Sequence, residues 1–70
     1  MPLSLAASGE TKIISEFHGK EEMKRHLQDL GFMKGEKVEI LGENQSGMIL
    51  KIKGVRIALN RGLASKIMVD

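Results

Sequence analysis

The side chains that could bind a metal lie in the N-terminal half of this 70-residue sequence. There is no cysteine, which excludes disulfides and thiolate sites, and there are only two histidines. Glu22 and His26 are four residues apart, so they could offer two ligands on one face of a helix. A dedicated metal site usually has three or more protein ligands with further hydrogen-bonded support. We therefore predict no metal site and no cofactor, although five nearby side chains are candidate ligands by type: Glu16, His18, Glu21, Glu22 and His26.

The sequence also offers no set of residues for catalysis. A nucleophile, a base and a group that orients the base are needed together, and the two histidines have no such companions. Asp29 follows His26 by three residues, which is a common arrangement on helices. The glycines are scattered singly and form no phosphate-binding loop. We predict that the protein is not an enzyme and does not itself bind GTP.

The charge is unevenly distributed along the chain. Residues 1–43 carry six basic and eight acidic side chains, whereas residues 44–70 carry five basic side chains and one acidic side chain. A basic half permits an acidic or nucleic-acid partner. Trp and Tyr are absent, which disfavours the aromatic surfaces that bind proline-rich peptides or single-stranded bases. Nucleic-acid binding stays as an alternative, through Lys51, Lys53, Arg56, Arg61 and Lys66.

The apolar stretches are too short for a membrane span. No run of apolar residues exceeds three, and a spanning helix needs about 20. No basic segment precedes an apolar one near the start, as a secretion signal would require. We expect a cytoplasmic protein that does not insert into a membrane.

The elements that would position these side chains can be read from the apolar periodicity. Residues 11–17 are rich in β-branched side chains and predict a strand. Met23, Leu27 and Leu30 then recur at helical spacing. Gly31 can adopt the left-handed conformation that ends a helix, with Phe32 folding back onto Leu27.

After Gly35 the apolar residues alternate with polar ones, which predicts strands near residues 37–40, 48–53, 55–59 and 67–69. Residues 44–47 and Gly54 predict turns, and residues 63–65 allow one helical turn. Five short strands can share one interior when they curl into a barrel. The predicted fold class is mainly β, a single domain over residues 1–70 that forms an SH3-like barrel with an inserted short α-helix. A small α+β sandwich is the alternative.

The alternation in the predicted hairpin separates an inward face from an outward one. The inward set comprises Leu50, Ile52, Val55, Ile57 and Leu59, and the outward set comprises Ile49, Lys51, Lys53, Arg56 and Ala58. Apolar side chains rimmed by positive charge on an outward face can bind a protein partner. The predicted partner-binding residues are Ile49, Lys51, Lys53, Arg56 and Met68.

Apolar residues and glycines follow one another in a characteristic order along the whole chain. They are Leu3 and Leu5, the run Leu27-x-x-Leu30-Gly31-Phe32-x-x-Gly35-x-x-Val38-x-Ile40, the run Leu50-x-Ile52-x-Gly54-x-x-Ile57-Ala58-Leu59, and Ala64-x-x-Ile67-x-Val69. In these residues the sequence resembles, from end to end, the FeoA family of ferrous iron transport proteins. One departure is Lys34, because the family often has proline directly before the glycine at this turn.

The resemblance implies both a fold and a role. It implies an SH3-like barrel and a small cytosolic accessory of ferrous iron uptake, with transition metal ion binding as a term used for the family. It also implies a partner, the FeoB-type membrane permease with its cytosolic GTPase part. A similar domain lies at the end of the iron-dependent repressor chains, so the alternative is that this barrel has a regulatory function.

Overall fold

The computed structural model describes residues 1–70 as eight elements. A 3-10 turn comes first, followed by five strands and two helices. In chain order they are the 3-10 turn Leu3–Leu5, β1 (Thr11–Phe17), α1 (Glu21–Asp29), β2 (Lys37–Asn44), β3 (Gly47–Ile52), β4 (Val55–Leu59), α2 (Arg61–Ala64) and β5 (Ile67–Val69). All five predicted strands and the predicted helix are present, and only the 3-10 turn was not foreseen.

The strands form one antiparallel sheet in the order β4-β3-β2-β1-β5. β2 has a bulge between Ile40 and Gly42, and the pairing of β1 with β5 shifts between Ile14 and Glu16. Bulges bend a strand and increase its twist, so they allow a sheet this small to curl around one interior. At the far side of β5, Pro2 forms a bridge with Met68.

Two tight turns connect the central strands. Gln45 and Ser46 link β2 to β3, and the Asn44 side-chain oxygen accepts a hydrogen bond from the Ser46 backbone N–H at 2.8 Å. Lys53 and Gly54 link β3 to β4 with φ values of 51° and 79°. Positive φ at both central residues defines the hairpin turn whose twist matches that of the flanking strands. The predicted hairpin is confirmed.

The end of α1 has the geometry predicted from Gly31. Gly31 has a φ of 107°, its N–H donates to the Gln28 carbonyl at 2.9 Å, and the Phe32 N–H donates to the Leu27 carbonyl at 2.9 Å. This pair of hydrogen bonds defines a Schellman ending, and both Leu27 and Phe32 are fully buried. The ending thereby fixes where the helix contacts the sheet.

The core is entirely apolar. It contains thirteen residues and no buried polar side chain: Leu3, Ile14, Leu27, Phe32, Val38, Ile40, Met48, Leu50, Ile52, Leu59, Ala64, Ile67 and Val69. One prediction was wrong, because Val55 was expected to be buried and is 57% exposed. Val55 lies opposite Ile52 and so shares its face, but it opens an edge strand where little covers that face.

Candidate functional site

The candidate metal ligands, at which no metal site was predicted, lie no more than two together. Glu22 and His26 are exposed on α1, and neither side chain forms a hydrogen bond or an ion pair. At the end of β1, His18 Nε2 lies 2.7 Å from Glu16 Oε1 on the surface. No group of three or more His, Cys, Asp or Glu side chains is positioned to hold a metal ion.

The structure shows no pocket. None of its helices has the length and apolar character that crossing a membrane would need. Exposed side chains and free backbone groups are the features that could bind another molecule.

A basic pair lies on the outer face of the β3–β4 hairpin. Lys51 and Arg56 are directly opposite each other, both are exposed, and neither has a carboxylate within ion-pair distance. The two-residue turn makes them a non-hydrogen-bonded pair, in which side chains approach most closely. Like charges in this arrangement destabilise a sheet. The fold gains nothing from this pair itself. Glu39 lies opposite Lys51 on β2, so Arg56 is the member of the pair without an acidic residue opposite it, and an anionic group beside Arg56 would relieve the repulsion.

Of the other predicted binding residues, Ile49 lies beside Lys51, whereas Lys53 lies in the turn and Met68 lies on another strand. Ile49 is half-buried on the same strand as Lys51 and lies opposite Ala58. Lys53 occupies the turn, where its Nζ lies 3.7 Å from Glu36 Oε1 and 3.5 Å from Met33 Sδ. Met68 belongs to β5, which is separated from β3 by two strands, and there it lies opposite Glu16.

The alternative set of five basic residues does not form one surface of free cations. Arg61 forms an ion pair with Glu43 and donates to the Ser4 carbonyl at 3.2 Å. Phe32 is fully buried and Phe17 is half-buried against the core, so neither ring offers a fully exposed face for bases to stack on. Nucleic-acid stacking would need such a surface.

An exposed apolar region beside the hairpin was missed by the sequence analysis. Leu30 and Met33 follow the end of α1 and are 36% and 44% exposed, and Val55 begins β4. Lys53 connects the hairpin turn to Met33, and a β-carbon at Gly31 would lie 3.7 Å from Ile52 Cγ2. The helix end thus lies next to the start of the edge strand. The position of Val55 directly after a tight turn was the one signal in the sequence that could have indicated its exposure.

The family model for the FeoA domain matches residues 1–70. The chain belongs to the FeoA family. It is similar to an Fe(2+) transport protein A of Methanocaldococcus jannaschii, with 33% identity over 69 residues that cover 99% of this chain and 84% of the relative.

Two solved FeoA structures have the same fold as this FeoA-family chain. One, an iron uptake regulatory protein (FeoA), has 30% identity and a TM-score of 0.91, and the match covers 99% of this chain and 92% of that one. The other is Stenotrophomonas maltophilia FeoA complexed with zinc and described as an SH3 domain protein, with 26% identity, a TM-score of 0.79 and coverage of 100% and 89%. The predicted SH3-like fold and family are confirmed.

The resemblance to repressor domains is one of fold. A manganese-dependent transcriptional repressor has 17% identity and a TM-score of 0.87, and this FeoA-family chain covers 40% of its length. At this level of identity the match shows a shared barrel and carries no argument for a regulatory role.

Proposed function

We propose that this FeoA-family chain is a nonenzymatic accessory of ferrous iron uptake that acts in the cytoplasm by binding the GTPase part of a FeoB-type permease. The observation that carries the proposal is the family match over residues 1–70, together with a relative named for Fe(2+) transport. The exposed basic pair Lys51 and Arg56 supports binding to a partner that carries acidic groups.

The proposed docking surface is centred on Lys51 and Arg56, with Ile49 beside them. Lys53 and Met68 complete the set of predicted binding residues, although Lys53 already contacts Glu36 and Met68 lies on β5. If the basic pair makes the main contact, Lys53→Ala and Met68→Ala should affect binding less than Lys51→Ala and Arg56→Ala.

The test is a titration of the full chain against the isolated FeoB GTPase domain, without nucleotide, with GDP and with a nonhydrolysable GTP analogue. The double variant Lys51→Ala/Arg56→Ala should bind about tenfold or more weakly than the unmodified chain, because two charge-assisted contacts are lost. Lys20→Ala/Lys34→Ala is the matched control, since it removes two exposed lysines that form no ion pair. No binding in any nucleotide state, with normal iron uptake in a deletion strain, would contradict the proposal.

The basic pair also favours one second candidate, a nucleic-acid-binding barrel. Its phosphate contacts would give an affinity that falls steeply as salt rises. Titration with RNA and with duplex DNA at low salt tests this function, and an absence of binding there excludes it.

A further inference from the structure

The outer edge of β4 has free backbone groups. β4 is the last strand of the sheet, and Val55 is paired with Ile52 across a two-residue turn. In such a hairpin the backbone groups of alternate residues face the neighbouring strand, so those of Arg56 and Ala58 face outward. The backbone groups of Arg56 and Ala58 form no hydrogen bond with a turn, loop or cap residue. This edge is a template for another extended strand.

The outer side of this edge is basic. Charged side chains on an edge strand often prevent aggregation, which can account for Arg56. Lys51 lies on the inner strand β3 between Glu39 on β2 and Arg56 on β4, so it has one acidic neighbour, whereas Arg56 has only the cation Lys51 opposite it. Because β4 is the last strand and Arg56 forms no ion pair, an acidic side chain on an added strand would lie beside an unpaired cation.

The inner side of the same edge is apolar. Val55 is 57% exposed and Ile57 is half-buried, and both alternate with Arg56 along β4. An added strand also presents its side chains alternately to the two faces. Its residues beside Arg56 would therefore be acidic, and those between them would be apolar to cover Val55 and Ile57.

We propose that the β4 edge binds, by strand addition, an extended segment of a protein partner in which acidic and apolar residues alternate. This inference rests on the proposed function, because it specifies the kind of partner segment that the basic surface binds. A second copy of this chain does not fit. Antiparallel pairing of two β4 strands about Ile57 would bring two Arg56 and two Lys51 side chains onto one face, where like charges repel.

The first test uses the full, isotope-labelled chain and a blocked peptide of four Glu-Val repeats, with a Lys-Val peptide of the same length as the control. The Glu-Val peptide should slow hydrogen exchange at the Arg56 and Ala58 amides, which are free in this chain. The Lys-Val peptide should bind about tenfold or more weakly, because it places cations beside cations.

Variants separate the backbone contribution from the charge contribution. Ala58→Pro removes an outward N–H that an edge strand can lose and should weaken binding of the Glu-Val peptide about fivefold. Ala58→Val keeps that N–H and is the matched control. Lys51→Glu/Arg56→Glu should reverse the preference between the two peptides, and it keeps the proposal testable if the proline variant fails to fold.

The outcomes separate this inference from the proposed function. Binding of the Glu-Val peptide without binding of the GTPase domain would overturn the proposed function and support strand addition. If the Ala58→Pro and Ala58→Val variants bind the GTPase domain with equal affinity, strand addition is overturned and the proposed function is not. Concentration-dependent dimerisation with protection of the Arg56 and Ala58 amides, or binding of RNA but not of the Glu-Val peptide, would also overturn it.

Discussion

Phe32 is the residue on which the small core depends most heavily. It is the largest of the fully buried side chains, and its own backbone N–H is part of the helix ending. A single residue therefore contributes to the packing through its side chain and to the end of α1 through its backbone. In a domain of 70 residues, whose total stability is on the order of 5 kcal/mol, such a residue decides whether the chain folds.

We expect Phe32→Ala to lower the free energy of unfolding by about 3 to 5 kcal/mol, because a buried aromatic ring is lost and a cavity is left. Urea unfolding followed by circular dichroism measures the change. Met33→Ala is the control, because Met33 is 44% exposed and its truncation should cost only about 0.5 kcal/mol. Equal costs for the two variants would contradict this account of the core.

Glu22 and His26 should not matter for stability or metal binding. They are exposed and lack hydrogen-bonded partners, so Glu22→Ala and His26→Ala should each change the free energy of unfolding by no more than about 0.5 kcal/mol. Thermal melts with and without ferrous iron, under anaerobic conditions, provide the measurement. Stabilisation by iron that disappears in either variant would show that the prediction of no metal site is wrong.

At the scale of elements, two local features lie at element boundaries. One ends α1, and the other precedes β1. The Schellman ending sets the direction in which the chain leaves α1. Before β1, the Ala7 backbone N–H donates to Glu10 Oε1 at 2.6 Å, and Lys12 Nζ lies 3.4 Å from Glu10 Oε2. Each feature uses residues close in sequence, and each can be tested by one substitution.

Gly31→Ala should cost about 1 kcal/mol or more, because an alanine is strained at a φ of 107°. The added β-carbon would lie 3.7 Å from Ile52 Cγ2, which is an ordinary contact, so the backbone alone accounts for the cost. Gly42→Ala is the matched control, since Gly42 lacks a positive φ and has open space around it. Denaturant unfolding of both variants should show a loss for Gly31→Ala only.

The loop before β1 should weaken in acid. The hydrogen bond from the Ala7 backbone N–H, and then the contact with Lys12, lower the pKa of Glu10 below its ordinary value of 4.5. The unfolded chain therefore binds the proton more readily, so the stabilisation from Glu10 is complete above about pH 4.5 and is lost as the pH falls through the folded-state pKa. Glu10→Gln should be slightly less stable than the unmodified chain at neutral pH, and urea unfolding should show that this difference disappears in acid. A constant difference across that range would contradict the role of Glu10.

At the scale of the whole molecule, the first residues complete the sheet beside β5. The Met1 amino group donates to the Val69 carbonyl at 2.8 Å, and the Val69 N–H donates to the Met1 carbonyl at 2.7 Å. Leu3 is fully buried, whereas Leu5, on the same 3-10 turn, is 70% exposed. The two ends of the chain therefore depend on each other for stability.

Leu3→Ala should destabilise the protein by about 2 to 5 kcal/mol, and Leu5→Ala should have almost no effect. The two substitutions remove the same atoms from neighbouring positions, so the comparison isolates burial. Thermal unfolding of both variants measures it. A large loss for Leu5→Ala would mean that Leu5 is covered in solution by something other than this chain.

The sequence alone determined the local elements of this protein. The helical spacing of Met23 and Leu27, Gly31 at the helix end and the alternation after Gly35 each depend on backbone geometry within a few residues. The family could also be recognised, because the apolar residues and glycines that define it follow one another along the whole chain. The edge strand, by contrast, is not visible in a local pattern.

Only the tertiary structure decided which strand lies at the edge and which side chains share a surface. Val55 has the alternation of a buried residue but is exposed, because burial requires a neighbouring element that covers it. Met68 and Ile49 both looked like outward apolar residues, yet they lie on strands separated by two others. Arg61 belonged to the basic half of the sequence, but the fold neutralises it with Glu43. Each of these outcomes depends on contacts between residues distant in the chain, which spacing within one strand does not define.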